Sequence, residues 1–503
     1  MRQKIKQILK NDQAICWIVL SIYIIMITYI SLHHEFTQDE TQSWLIARDL
    51  NPIDIIKQMK WEGHSFLWHY LLLPFAKLGF PIYIQKILPI CFSTATIYIL
   101  WNHAPFSKLL KFLITFSSGM IYYYSSFARP YCMIPFLLVA IATVYQKRKE
   151  QPYLYAILVG LLAHTHLVML PTVGLLVITF WLNELLLKRK RISKEEKGKL
   201  IKSLILVIFI ILIYLIIAVY GYFYCKIATD ISRYTEVTTY ISYWASYTLH
   251  SISSTFYGGE VVPNYYIFLL AVIALLCIIG SKNNIKQATI FWCHLIFMIL
   301  VHCLVWFSLP IRIFIIIYTL MFWVWLDYYE KKKNIWTTIA LVLLIIMSIP
   351  GTYKCVFQDI QKKASGGSET AEFIKENIPK GSVFINTYSD FHQILAAYLK
   401  KEDYLFYLIH ADEFRTFNVW DEEILKYTTA SDVINAIEKL KKSYSHIYLL
   451  NPVVTKNYGV DMSKISKNYQ VKYLYVPEEK ELMDEFYFYD LVTFEIIEIS
   501  ERK

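Results

Sequence analysis

The sequence predicts a polytopic α-helical membrane protein with an extracytoplasmic α/β domain at its C-terminal end. Three observations carry that prediction. The 503 residues are 56% hydrophobic and only 18% charged, against about 25% charged in soluble proteins. The charges are bunched between long apolar runs: Ser203 to Cys225 and Gln287 to Ile311 contain no Asp, Glu, Lys or Arg, and a hydrocarbon core takes about 20 helical residues to cross. After Pro350 the pattern changes to short, charged, periodic segments.

The first apolar run, Gln13 to His34, follows the basic leader Met1–Lys10. It lacks the short apolar core and small-residue cleavage site of a removed signal, so it reads as a retained signal-anchor helix with its N-terminus inside. Lys and Arg concentrate in the leader and at Lys147–Lys149, Lys188–Lys202, Lys282–Lys286 and Lys331–Lys333. The positive-inside rule assigns all of these to the cytoplasm. Lys226–Pro263 carries only Lys226 and Arg233 and reads as external.

Parity then requires an odd number of crossings before Lys147. Segments 82–101, 108–124 and 130–146 supply them, so the apolar stretch 64–79 lies at the outer leaflet without crossing. Further spans at 151–163, 166–187, 203–222, 264–281, 287–305, 310–327 and 335–350 make about 11 transmembrane helices, with the C-terminus outside. The charge-free run Gln151–Asn183 would be about 50 Å long as one helix against a core of about 30 Å, so it must be a hairpin. It turns near His164–His166, and its first arm is short.

This divides the chain into a transmembrane domain, 1–350, whose external loop 33–81 carries interfacial helices, a linker, 351–368, and an extracytoplasmic α/β domain, 369–503. In the last, helices are expected at Glu369–Asn377, Phe391–Lys400 and Ser431–Lys442. Strands are expected at Ser382–Asn386, His446–Leu450, and near 471–476 and 486–497, with no phosphate-cradling glycine motif. The net charge of +10 serves topology, which argues against a nucleic-acid partner. Eight scattered cysteines without a CxxC pair read as buried free thiols rather than a disulfide framework or zinc site. Tyr122–Tyr124 reads as an aromatic belt.

The first external loop, His33 to Glu40, runs into an amphipathic helix at Thr41–Leu50, and Asn51-Pro52 opens a second. Asp39 and Glu40 are candidate catalytic carboxylates, suited to take a proton from an acceptor hydroxyl. Thr37-x-x-Glu40 is equally a capping box. The same side collects His64, Arg129, His164, His166 and Arg312 as candidate substrate-binding groups. Ionisable residues in apolar surroundings mark function, and an arginine fork matches a phosphate. Each arginine could instead snorkel to the headgroups. His164-x-His166 lacks a third metal ligand.

In this setting the chain resembles the GT-C glycosyltransferases, nearest the bacterial family 39 group related to protein O-mannosyltransferases and aminoarabinose transferases. Asp39-Glu40 resembles that group's acidic pair after the first span, and Gly63-His64-Ser65-Phe66-Leu67-Trp68-His69-Tyr70-Leu71-Leu72 its His-Pro-Pro-Leu-Tyr-Tyr-Leu-Leu stretch. The run Tyr124 to Tyr131 resembles its Ser-x-x-Ala-Arg-x-Tyr motif, His164-Thr165-His166 its His-rich turn, and Pro310-Ile311-Arg312 its late arginine. Ser65-Phe66 departs from the paired prolines and Ile313 from the usual aromatic.

The resemblance covers roughly residues 10–330. It implies transfer of a sugar from a polyprenyl-phosphate donor to an extracytoplasmic acceptor hydroxyl with inversion, in cell-envelope glycan or protein modification. Asp39 would act as base and Arg312 would hold the leaving phosphate. No nucleotide site is implied, and dependence on a divalent metal stays open. Two other readings stand beside it: a lipid-linked glycan polymerase or ligase using a diphosphate donor, and a flippase or transporter, which would place polar residues at mid-bilayer in repeated halves.

Overall fold

The computed structural model describes residues 12–187, 193–224, 248–258, 261–304, 310–362, 365–388, 391–421, 426–454, 460–477 and 492–501. The basic leader, the basic residues 188–192 and the loop residues 226–247 lie outside the described residues. Among the described residues, eight helical segments are long and apolar enough to cross a membrane. They contain α1 (Asp12–His33), α5 (Ile87–His103), α9 (Leu170–Val177, continuing as a wider π-type helix to Leu187), α10 (Lys194–Tyr224), α11 (Asn264–Ser281), α12 (Ile285–Leu304), α13 (Ile315–Tyr329) and α14 (Ile335–Gln361). Two further apolar segments, holding α7 (Met133–Tyr145) and α8 (Pro152–Ala163), are shorter.

The expected crossing at 108–124 is broken. α6 (Lys108–Thr115) stops at Phe116 and the chain resumes as a π turn at Gly119–Tyr123. Serines at 117 and 118 cause the break, since their hydroxyls bond Ile114 O and Ser348 O rather than leaving the helix ladder undisturbed. α13, apolar on every side, is buried along nearly its whole length, as expected for a helix at the centre of a bundle. It packs against α7, α12 and α14.

Opposite ends of α13 differ in chemistry. At its C-terminal end the basic turns converge. Lys149 pairs with Glu184 at 2.5 Å, Lys286 Nζ donates to Tyr145 Oη at 2.8 Å and Asn284 donates to Asp327 at 2.7 Å. The other end begins at the helical turn Pro310–Ile313. There the loop around His34–His64, the turn at Ala128–Tyr131 and the turn His164–His166 gather.

Two short helices adjoin that end. α4 (Leu67–Lys77) has 11 residues, about 16 Å, too short to cross a core of about 30 Å. α8 has 12 residues, about 18 Å, likewise short of that thickness, and leads into the His164–His166 turn.

Two expectations are corrected. Tyr122 and Tyr124 form no belt: both are fully buried, donating to Asp359 Oδ2 at 3.0 Å and Ile311 O at 2.8 Å. Nor does the polypeptide loosen at Pro350. α14 runs on to Gln361 with the proline inside it, exposed on the helix surface. Buried Ser348, Thr352 and Asp359 continue one packed face through the segment expected to be linker.

The C-terminal part is a six-stranded sheet of order β3-β2-β1-β4-β6-β5. The strands are β1 (Ser382–Asn386), β2 (Tyr404–Leu408), β3 (Glu413–Phe414), β4 (Ile447–Val454), β5 (Tyr469–Tyr475) and β6 (Val492–Glu501). β1 pairs parallel with β2 and β4, and the remaining pairs are antiparallel. β2 and β3 lie where no strand was expected. α15 (Gly367–Asn377) and α16 (Ala430–Leu440) pack beside the sheet, and the helix expected over Phe391–Lys400 is only His392–Ala396.

This layer docks on α2 (Gln38–Asp49). Arg48 Nη1 donates to Ala396 O and Leu399 O at 3.2 and 2.8 Å, and Glu35 accepts from Ser368 and Tyr398 at 3.2 and 3.3 Å.

Candidate active site

Asp39 and Glu40 occupy the first turn of α2 but face different surroundings, because successive helical residues point about 100° apart. Glu40 is fully buried. Its Oε2 accepts from Thr37 N and Oγ1 at 2.9 and 2.8 Å, closing the capping box, and lies 3.1 Å from His34 Nε2. Its Oε1 accepts from Ala128 N at 2.7 Å. Burial works against its ionisation, yet His34 and the two backbone N–H groups outweigh that and hold the carboxyl below its usual range. Grouped with Asp39 as a catalytic candidate on sequence, Glu40 has both oxygens occupied and does not line the cavity, so its place is corrected to a structural clamp.

What Glu40 clamps is informative. By fixing Ala128 N it delivers the next residue, Arg129, to the next carboxylate. Arg129 Nη2 sits 3.1 Å from Asp39 Oδ2 and Nη1 donates to Asp39 O at 2.8 Å. Asp39 keeps 25% of its side chain exposed, and that exposure is to a cavity of about 750 Å³, inside the ~300–1,000 Å³ range of ligand pockets.

The cavity wall also holds Lys60, Glu62, His64, Arg129, Tyr131, His166 and Arg312. Tyr131 is the hub. Its hydroxyl accepts from Arg312 Nε at 2.8 Å, its ring centroid lies 5.9 and 6.0 Å from the Arg129 and Arg312 guanidinium carbons, and the His166 ring is 5.0 Å away. Five of the seven sequence candidates, Asp39, His64, Arg129, His166 and Arg312, therefore border one space. His164 does not. It bonds Ser65 Oγ at 2.6 Å and Ile210 O at 2.7 Å, tying the loop beside His64 to α10.

Electrostatics sorts these groups. Burial, reinforced by Arg129 and Arg312, presses His64 down to about 3. Burial and Arg312 likewise hold His166 well below its ordinary value. Both rings are neutral at physiological pH and serve as hydrogen-bonding groups, leaving the positive charge to Lys60, Arg129 and Arg312. His64 stacks on buried His69 at 5.2 Å. Burial pushes Glu62 up to about 7, against the lowering pull of its Gln42 bond and Arg129.

The far side of the cavity is different in kind. Leu215, Ala218, Val219 and Phe223 of α10 and Phe297, Leu300 and Val301 of α12 give it an apolar wall drawn from two membrane helices. Such an arrangement can take a ligand with an anionic centre and a long apolar tail. Among the described residues, no group of three or more His, Cys, Asp or Glu side chains is placed to hold a metal ion.

No protein-family model matches the sequence, and no curated protein matches it. Solved structures do match in three dimensions. ArnT from Cupriavidus metallidurans in the apo state superimposes with a TM-score of 0.52 at 9% identity, over 97% of this chain and 98% of that one. The same protein bound to undecaprenyl phosphate gives 0.52 and 9%, over 97% of each chain.

The chain has the ArnT fold. The likeness extends through the C-terminal domain as well as the bundle, in keeping with the polytopic helical fold and C-terminal α/β domain that the sequence predicts.

Sequence reasoning missed Lys60, Glu62, Tyr131, Tyr214 and Trp420 as members of this wall. Lys60 and Glu62 left a signal, two charges immediately before the quoted His64 stretch in a loop otherwise leading into apolar helix. Trp420 left none, since it belongs to the C-terminal domain.

Proposed function

We propose that this protein is a membrane glycosyltransferase that moves a sugar from a polyprenyl-phosphate donor to an acceptor hydroxyl on the extracytoplasmic side, with inversion at the anomeric carbon. The observation that carries the reading is one cavity whose wall holds a carboxylate, two guanidiniums around Tyr131 and a set of apolar side chains from two membrane helices. The ArnT fold supports it, since one ArnT structure holds undecaprenyl phosphate.

In this reaction the prenyl tail lies between α10 and α12 and the phosphate sits beside Arg312. Asp39 takes the proton from the acceptor hydroxyl. The acceptor oxygen forms its bond to the anomeric carbon as the bond to the phosphate oxygen breaks, and the electron pair leaves on the polyprenyl phosphate. Arg129 holds one oxygen of Asp39 and so aims the base. Arg312 meets the charge that develops on the departing phosphate, with Tyr131 steering its fork.

The test is donor turnover by the full-length protein in native membranes, followed as release of sugar-free polyprenyl phosphate from labelled polyprenyl-phosphate sugars. Arg312→Gln is expected to slow it by about 10²–10³-fold. Arg312→Lys is expected to recover part of the rate, because a point charge replaces the fork imperfectly. Undecaprenyl phosphate should raise the unfolding temperature of the wild type and not that of Arg312→Gln. Equal stabilisation of both would remove the phosphate from Arg312 and end this reading.

Glu62 sets the pH dependence. Its carboxyl, titrating at about 7, is neutral below that pH and anionic above it. The anionic form puts a second negative charge beside Asp39, favouring positive charge on the reacting sugar. The rate is therefore expected to rise as pH increases through about 7. Glu62→Gln, fixed in the neutral form, should hold the low-pH rate across the range. A wild-type inflection that persists in Glu62→Gln would assign it to another group.

A further inference from the structure

We infer that the C-terminal domain completes the site: the strap Thr416–Trp420 docks on α2 and brings Trp420 into the cavity wall, where Trp420 covers the face of a saccharide ring whose hydroxyls meet Glu62. This rests on the reading above and adds what that reading leaves undefined, the saccharide subsite and the role of the C-terminal domain.

The strap is fastened at the site itself, not merely near it. Gln42, buried on α2, spends both ends of its amide on one residue of the C-terminal domain: Nε2 donates to Asn418 O at 2.8 Å, and Oε1 accepts from Asn418 N at 2.8 Å. The same Nε2 donates to Glu62 Oε1 at 3.1 Å. Gln58 Nε2 adds a second donor to Asn418 O at 3.2 Å. Thr416 Oγ1 bonds Asp49 at the far end of α2. One glutamine thus joins the docking of a distant domain to a carboxylate of the cavity wall, and the chain it grips leads two residues later to Trp420, which lines the same cavity and is partly exposed to it.

The chemistry of this wall suits a sugar better than a peptide or a second lipid tail. A sugar ring is amphipathic in a particular way, with C–H groups on its faces and hydroxyl donors at its edge. An indole offers a flat apolar surface for the first, and a carboxylate offers acceptors for the second. The side chains that α10 and α12 give the cavity are by contrast mostly apolar, Phe223 and Phe297 included, with no carboxylate among them. The ring could be carried by the donor or by the acceptor, so the probes must separate the two.

The experiment uses full-length protein in lipid nanodiscs, labelled with 5-fluorotryptophan, with the Trp420 fluorine resonance assigned by its loss in Trp420→Phe. Three probes are added in turn: undecaprenyl phosphate alone, a synthetic polyprenyl-phosphate hexose, and a series of methyl hexopyranosides. The Trp420 resonance is expected to move with a sugar-bearing probe and to stay in place with undecaprenyl phosphate alone. Movement with the donor only assigns the subsite to the transferred sugar; movement with a free glycoside assigns it to the acceptor.

Silence toward every sugar, or an equal shift with undecaprenyl phosphate alone, overturns the proposal. Thermal stabilisation by undecaprenyl phosphate is read on the same samples. Its absence would sink the donor reading, whereas stabilisation with a silent Trp420 would sink only the subsite. In turnover assays, Trp420→Ala should raise KM for the sugar-bearing substrate about tenfold with a smaller change in kcat, and Trp420→Phe should restore most of it.

Discussion

Asp39→Asn is expected to lower the rate of sugar transfer by about 10²–10⁴-fold, the range typical of a lost general base, while undecaprenyl phosphate binds as tightly as before. The substitution keeps the shape of the side chain and an oxygen for Arg129, which already holds Asp39 through its main-chain carbonyl at 2.8 Å as well as through Oδ2 at 3.1 Å. What it removes is the ability to accept a proton. Binding of the lipid phosphate depends on Arg312 and its Tyr131 anchor, which Asn leaves in place. A loss of rate without loss of lipid affinity separates a chemical role from a structural one. If Asp39→Asn turned over donor at the wild-type rate, the base would pass to Glu62, the other carboxylate of the cavity wall among the described residues.

Most of the bundle was legible because its physics is local. Apolar runs declare helices, basic turns declare one end, and a 33-residue charge-free run cannot be a single span. Arg129 stands out in the sequence as an ionisable residue in apolar surroundings, and Asp39 as a carboxylate in the first external loop; both border the cavity. The spacing Thr37-x-x-Glu40 already offered Glu40 a capping place beside Asp39, but nothing local announced the Ala128 N–H that occupies its other oxygen.

The rest depends on contacts across the chain. Gln42 and Asn418 lie 376 positions apart, and nothing in either neighbourhood announces the other. Asp359 was hidden in another way. Pro350 ended the expected helix, and the carboxylate beyond it read as linker, although it lies on the buried face of α14.

That carboxylate carries the second large prediction. His34 stands between two acids, with Nδ1 2.7 Å from Asp359 Oδ2 and Nε2 3.1 Å from Glu40 Oε2, all three buried. Burial alone would keep the ring neutral, but Asp359 and Glu40 outweigh it and raise His34 to about 10. The imidazolium therefore joins the end of α14 to the loop that presents Asp39. His34→Leu leaves two carboxylates buried without it and is expected to destabilise the fold by about 3–5 kcal/mol. Lys86, a cation that feels both acids, has its ammonium bonded to the carbonyls of Ser31 and His34 at 2.6 Å each.

The sign of the pH effect follows from the raised value. Because the folded His34 binds its proton more tightly than the unfolded one, near 6.5, its stabilisation is complete below that pH and fades as pH climbs through about 10. Thermal unfolding of the full-length protein should show a midpoint that falls between pH 7 and 10 in the wild type and falls less in His34→Leu. Removing the opposing charge as well, in His34→Leu/Asp359→Leu, should regain part of the loss, since an apolar pair replaces a buried ion pair at little cost. Parallel pH slopes for wild type and His34→Leu would mean that His34 is neutral in the folded protein and that the loop is held by hydrogen bonds alone.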